Sequence, residues 1–169
     1  ILTSQDVEGF AKVLLTKHKF DEFLEHKDTD FAYSHAAEAR FRGNIYMQRG
    51  TMGIALRLIP NEVKTFEDLR LPPILESFSG RNQGFFLCVG AVGQGKSTTL
   101  ASMVEYINQN RAEHIVTIED PVEYMYESKQ SLIEQREIGV DANNFEQALN
   151  AVFRQDVDVI LVGEMRNPQ

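Results

Sequence analysis

The chain has 169 residues, 43% of them hydrophobic, so it can bury a core as one ordinary domain or two small ones. Its formal net charge of −8 argues against a general nucleic-acid-binding protein, because such proteins have a basic surface. The first residues do not resemble a signal peptide, and no apolar stretch is long enough to span a bilayer. The single cysteine, Cys88, is interpreted as a small core residue, and a reducing cytoplasmic location fits this composition.

Residues 1–60 are predicted to form a small α+β unit. Apolar residues at helical spacing follow a cap at Thr3 or Ser4 and predict an amphipathic helix, with a second, shorter helix after it. Strands are expected over 30–34, 39–48 and 52–59. The turn sequence between the last two strands predicts that they form a hairpin.

The rest of the chain is predicted to be a connecting segment followed by an α/β unit. Residues 61–83 are interpreted as a linker, and residues 84–169 show alternating strand and helix patterns. Strands are predicted at 85–89, 114–119 and 157–162, with helices over 98–110 and about 145–153. Alternating strands and helices imply a parallel sheet that binds ligands at the carboxyl ends of its strands.

A glycine-rich motif, Gly-x-x-x-x-Gly-Lys-Ser, occupies residues 90–97 between a predicted strand and a predicted helix. Its glycines let successive backbone N–H groups point into one concavity, and the helix N-terminus adds the positive end of its dipole. Lys96 can then reach the β- and γ-phosphates, and the Ser97 hydroxyl can bind Mg²⁺. The motif predicts a nucleoside triphosphate site, with ATP as the default nucleotide. Its predicted binding residues are Gly90, Gly93, Gln94, Gly95, Lys96, Ser97 and Thr98.

Carboxylates follow two of the predicted strands and are the candidate catalytic groups. Glu164 comes just past the strand 157–162, where it could activate water or hold Mg²⁺ through water. Glu119 and Glu123 follow the strand 114–119 and are expected at the same edge of the sheet. The sequence leaves open whether Glu123 or Glu164 is the base. Asp158 begins its strand at the opposite edge and is interpreted as a surface or capping residue.

Seven segments, taken in order, extend this pattern over nearly the whole chain. They are residues 39–44, 48–50, 56–60, 90–101, 117–123, 135–137 and 160–166. Together they resemble the secretion ATPases of type IV pilus and type II secretion machines, and most closely the PilT/PilU-like retraction ATPases of twitching motility. Within this resemblance, 119–123 corresponds to the family's Asp box and 163–164 to its Walker B element.

The resemblance implies a hexameric ring whose subunits join a PAS-like domain, here 1–60, to a RecA-like P-loop domain, here the partial domain 84–169. ATP would bind with Mg²⁺ between subunits, and its hydrolysis would drive type IV pilus retraction. The implied partner is a platform protein at the cytoplasmic face of the bacterial inner membrane. The subunit would be peripheral to that membrane, without a span, and would have no nucleic-acid partner.

Three arginines of the first unit are implied to contact a nucleotide of the neighbouring subunit. Arg40 and Arg42 share one face of a predicted strand, and Arg57 lies on the strand paired with it. A guanidinium near the γ-phosphate would stabilise the charge of the transition state. The alternative is that these arginines only solvate a strand face.

Departures from the family pattern keep other functions open. Ala91, Val92 and Gln94 replace common loop residues, but these positions act through backbone N–H groups, so binding should survive. Asn150 and Asn167 replace a frequent Arg and Asp, which puts an interface salt bridge in doubt. The alternatives are a nucleotide-gated regulatory subunit with little hydrolysis, an extension or type II secretion ATPase, and a nucleic-acid motor. The 169-residue chain by itself is expected to be a poorly active part of an active parent.

Overall fold

The computed structural model describes residues 2–35, 39–60 and 62–165, and it divides into two compact units, Ile1–Ile59 and Pro60–Gln169. The elements of the first unit are α1 (Ser4–Leu14), α2 (Lys17–His26), β1 (Asp28–His35), β2 (Ala39–Gln48) and β3 (Thr51–Ile59). Those of the second unit are α3 (Ile74–Ser79), α4 (Lys96–Asn110), β4 (His114–Glu119), β5 (Leu132–Glu137), α5 (Phe145–Val152) and β6 (Val159–Val162). The predicted α/β class is confirmed.

The first unit is an antiparallel sheet, in the order β1-β2-β3, covered on one face by α1 and α2. Thr3 is the cap of α1: its Oγ1 accepts the N–H of Asp6, and the Asp6 carboxylate accepts the N–H of Thr3. The predicted hairpin of β2 and β3 is confirmed. Its turn residues, Arg49 and Gly50, both have positive φ, as a two-residue hairpin turn requires.

A glycine in the middle of β2 lets an aromatic ring into the core of this unit. Gly43 pairs with Phe31 of β1, and a Cβ built at position 43 would lie 2.2 Å from Cζ of that ring. The ring therefore lies over the glycine, in a core with Phe23 and Ile45.

The second unit contains a parallel sheet in the order β5-β4-β6, with β4 buried between two helices. Val116 packs on α5 in one cluster, while Ile115 packs on Val104 and Ile107 of α4 in another. Because successive side chains of a strand point to opposite faces, Thr117 and Glu119 lie on the α4 side of the sheet. This face of the sheet carries residues of the candidate site.

The predicted buried strand at 85–89 is wrong. These residues form no strand in the described chain, and the side chains of Phe85 and Val89 are 81% and 80% exposed. An apolar run indicates a tendency to be buried, but a strand also needs a hydrogen-bonding neighbour, and residues 85–89 pair with neither edge of the β5-β4-β6 sheet. Cys88, in the same run, is partly rather than fully buried.

Elements that the sequence did not predict are α3 and β5. The segment 61–83, expected to be a linker, carries α3 and packs on α4: Phe66 and Leu75 are buried with Met103 in one cluster. Among the helices of residues 2–35, 39–60 and 62–165, none combines the length and apolar character needed to cross a membrane.

Candidate nucleotide site

The glycine-rich segment 90–95 forms a loop that leads directly into α4. Gly93 and Gly95 both have a φ of +81°, a left-handed conformation that strains any residue with a side chain. Gly95 is the N-cap of α4, and no side chain of the residues that the structure describes caps this N-terminus. Since the first N–H groups of a helix have no partner within it, the N-terminus of α4 has the geometry of an anion site.

Lys96, the first residue of α4, folds back along this loop. Its Nζ donates a hydrogen bond of 2.9 Å to the carbonyl oxygen of Ala91. A Cβ built at Gly90 would lie 4.0 Å from the Cγ and Cδ atoms of Lys96 and 3.7 Å from Cβ of Gln94, so the loop closes tightly around the lysine stem. The ammonium group therefore lies beside the loop backbone with donors left for an anion.

Two of the candidate carboxylates follow neighbouring strands at one edge of the sheet. Glu119 ends β4, and Gly163 and Glu164 follow β6. The N–H of Gly163 donates to the Ile118 carbonyl at 2.8 Å, and a Cβ at position 163 would lie 3.3 Å from Cα and Cγ of Glu119. A glycine at this position allows the two strand ends to approach, and the half-buried Glu164 comes next in the chain.

Glu119 is a nearly buried carboxyl group, 7% exposed. Burial raises its pKa above the ordinary value of 4.5, and the charge of Glu123 adds to the effect. Hydrogen bonds oppose this change: Oε1 accepts the Thr117 hydroxyl at 2.6 Å, and Oε2 accepts the N–H of Glu123 at 3.4 Å. The net result is a carboxyl that holds its proton more strongly than a solvated glutamate does.

We call residues 120–126, which follow β4 and include Glu123, the acidic loop. Four of its contacts were not predicted from the sequence. The Tyr124 hydroxyl lies 2.9 Å from Oγ1 of Thr98, in the first turn of α4. Gln135 donates to the Tyr124 carbonyl and accepts the N–H of Tyr126, and Glu137 accepts the N–H of Val122.

The sequence contains a partial signal for two of the residues that were not predicted, Gln135 and Glu137. Gln135 and Glu137 are two residues apart, a spacing that puts both side chains on one face of a strand. They also stand in a segment of the family resemblance, 135–137. Nothing local to Tyr124 indicates that its hydroxyl reaches Thr98, because the two residues are 26 positions apart in the chain.

The three candidate arginines lie in the first unit, on the face of the sheet that points away from its core. Arg42 is directly opposite Arg57 in the β2–β3 register, and Arg40 is opposite Ile59. The Arg42 guanidinium is 3.9 Å from the Asp30 carboxylate, a loose, exposed ion pair. The guanidinium groups of Arg42 and Arg57 are like charges directly opposite each other, an arrangement that is repulsive.

Other predicted positions are resolved more simply. Asn144 is the cap of α5: its side chain accepts the N–H of Gln147. Asp158, interpreted as a surface or capping residue, is exposed, and its side chain accepts the N–H of His114, the first residue of β4, at 2.8 Å. Asn150 is an exposed residue of α5. Arg166 and Asn167 lie outside the described residues.

Comparison with known proteins identifies a matching family and similar relatives. Residues 52–169 match the family described as type II/IV secretion system protein. The type IV pilus retraction ATPase PilT of Pseudomonas aeruginosa is 45% identical over 148 residues, which cover 88% of this chain and 42% of that protein. The type IV pilus ATPase PilU of the same organism is 42% identical over 146 residues, or 86% of this chain and 38% of the relative.

A solved structure extends the similarity to the fold. The crystal structure of the pilus retraction motor PilT with bound ADP superposes with a TM-score of 0.90 at 42% identity. The match covers 96% of this chain and 47% of the PilT chain. The chain therefore spans about half the length, or less, of these relatives.

Proposed function

The chain belongs to the type II/IV secretion system protein family, and from this premise we propose that it is part of an ATP-hydrolysing motor subunit that powers type IV pilus retraction. One juxtaposition carries the proposal. The open N-terminus of α4 follows a glycine loop, and the acidic loop that follows Glu119 is hydrogen-bonded to the first turn of that helix. An anion site next to carboxylates is what phosphoryl transfer to water requires.

Each residue then has a defined task. The backbone N–H groups of 93–98 would bind the phosphates, Lys96 would neutralise charge on the β- and γ-phosphates, and Ser97 would hold Mg²⁺, with Glu164 as a partner through water. Bound Mg²⁺ would neutralise the charge that develops during transfer. Glu119, Glu123 and Glu164 orient or deprotonate the attacking water, with either Glu123 or Glu164 as the base.

The assembly is the second part of the proposal. Subunits form a hexameric ring in which 1–60 is a PAS-like domain and 84–169 is part of a RecA-like domain, connected through 61–83. The arginines of the exposed sheet face (Arg40, Arg42 and Arg57) contact the nucleotide of a neighbouring subunit. The opposition of Arg42 and Arg57 supports this, because a phosphate would relieve their repulsion. The ring would lie at the cytoplasmic face of the inner membrane, against a platform protein and without nucleic acid.

Steady-state phosphate release by the full-length protein tests the catalytic proposal. Lys96→Ala should lose ATP binding, whereas Glu164→Gln should keep binding and lose about 100-fold or more in turnover. Lys17→Ala and Glu67→Gln change exposed residues elsewhere and are the matched controls. Glu123→Gln, measured in parallel, indicates which carboxylate is the base.

The same measurements separate the alternatives. A full-length protein that binds ATP but does not release phosphate would be a regulatory subunit. Stimulation by DNA would favour a nucleic-acid motor. If Arg42→Ala subunits restore turnover in rings mixed with Glu164→Gln subunits, the arginine acts across an interface. Retention of full turnover by pure Arg42→Ala rings would contradict that assignment.

A further inference from the structure

The acidic loop is attached to β5 through its backbone. Gln135 makes two of these contacts, from Nε2 to the Tyr124 carbonyl at 2.8 Å and from the Tyr126 N–H to Oε1 at 3.0 Å. Glu137 makes a third, accepting the N–H of Val122 at 3.0 Å. These contacts hold the backbone on both sides of Glu123 close to β5.

The same loop is attached to α4 through one side chain. The Tyr124 hydroxyl is 2.9 Å from Oγ1 of Thr98, which directly follows Ser97 in the first turn of the helix. Tyr124 thus has its carbonyl on β5 and its hydroxyl on α4. Tyr124 directly follows Glu123, so it links the acidic loop to the anion-binding end of the helix.

Tyr124 differs from Tyr126, which packs in a hydrophobic cluster. Tyr126 packs with Val104, Ile107 and Ile115, and burial raises its pKa. Tyr124 is half-buried and lies outside the hydrophobic clusters formed by the described residues. Removal of its hydroxyl should therefore leave the core intact while breaking the contact with Thr98.

We propose that Tyr124 is a positioning residue. Through the Thr98–Tyr124 hydrogen bond it couples the glycine-rich loop and the first turn of α4 to the acidic loop. The inference rests on the proposed function and deepens it. A ligand bound to the amides of 96–98 fixes the first turn of α4. Through Thr98 it then fixes Tyr124, and with it the orientation of Glu123. A neutral hydrogen bond of this kind shifts an equilibrium by roughly 2- to 12-fold.

Hydrogen exchange of the full-length protein, with and without Mg²⁺–ADP, tests the coupling. In the wild type, nucleotide should slow amide exchange in peptides covering both 96–104 and 120–128. In Tyr124→Phe, the protection of 96–104 should remain while that of 120–128 is lost. Tyr106→Phe is the matched control, because it removes a hydroxyl from a different tyrosine, one on α4 whose ring packs at a tilt against Phe66.

Each outcome is informative. Equal protection of 120–128 in the wild type and in Tyr124→Phe would overturn the coupling, while protection of 96–104 would still support the nucleotide site. If nucleotide protects neither segment in the wild type, the proposed function itself fails.

Kinetics give a second, independent readout. Tyr124→Phe should lower kcat by roughly 3- to 10-fold with KM for ATP within about twofold, since the phosphate-binding groups are untouched. Thr98→Val should cost a similar factor, and the double variant no more than either single change, because both remove the same bond. Additive losses, or an unchanged kcat in Tyr124→Phe, would overturn the proposal.

Discussion

Glu119 occupies an unusual environment for an acid. Its side chain is almost excluded from water on the α4 side of the sheet, with the charge of Glu123 nearby. The Thr117 hydroxyl and the N–H of Glu123 stabilise its charged form, but burial outweighs them and the pKa is raised. The folded chain therefore favours the protonated form of this group.

This imbalance predicts a pH-dependent stability. In the folded state Glu119 keeps its proton at pH values where the unfolded chain, with a pKa near 4.5, has lost it. Its contribution to stability is complete below that value and is lost as the pH rises through the raised pKa. Glu119→Gln cannot ionise, so its free energy of unfolding relative to the wild type should increase as the pH rises from below 4.5 through the raised pKa of Glu119, as measured by urea unfolding.

The exposed Glu67 provides the comparison. Glu67→Gln should give a difference from wild type that stays nearly constant over the same pH range. A Glu119→Gln difference that is equally flat would show that the pKa of Glu119 is not raised.

At the scale of elements, α4 is joined to the β4–β5 connection by a buried polar cluster. Asn108 is fully buried; its Nδ2 donates to Oε2 of Glu105 and to the Glu127 carbonyl, and its Oδ1 accepts the N–H of Lys129. Burial pushes the pKa of Glu105 upward, but hydrogen bonds from Lys129, Asn108 and Gln109 outweigh this and lower it. The cluster holds the C-terminal part of α4 against the segment that follows the acidic loop.

Asn108→Ala should lower the free energy of unfolding by about 2–4 kcal/mol, because it leaves several buried donors and acceptors unpaired. Asn110→Ala is the control: Asn110 is exposed on the same helix, and its side chain makes a local bond to the Tyr106 carbonyl. Its cost should stay within about 0.5 kcal/mol. Equal costs in denaturant titrations would mean that the buried cluster adds nothing to stability.

For the whole molecule, the features that the sequence predicts correctly are those encoded by neighbouring residues. The capping box of α1, the turn at Arg49 and Gly50 and the contiguous loop motif are encoded within a few residues, and the structure contains all three. The sequence of β5, Leu-Ile-Glu-Gln-Arg-Glu, lacks apolar alternation, so this strand was missed. Whether residues 85–89 pair as a strand, and whether Thr98 contacts Tyr124, depends on residues that are distant in the chain. Local patterns do not specify such contacts.

The exposed apolar run at 85–89 predicts how the 169-residue chain behaves by itself. Phe85, Leu87 and Val89 are 81%, 55% and 80% exposed, and such a patch favours association. Size-exclusion chromatography should show larger species as concentration rises, with phosphate release well below that of the full-length protein. Leu87→Glu should reduce the association, and Lys17→Glu, far from the run in sequence, should not. A chain that stays monomeric at every concentration would contradict this.

The ring of Phe31 over Gly43 restricts which sequences this sheet can accept over evolutionary time. Any side chain at position 43 would occupy the space that the ring now fills. In relatives that keep this sheet, the two positions must change together: a larger residue at 43 requires a smaller one at 31, and a relative that retains both bulky groups must rearrange the strands between them.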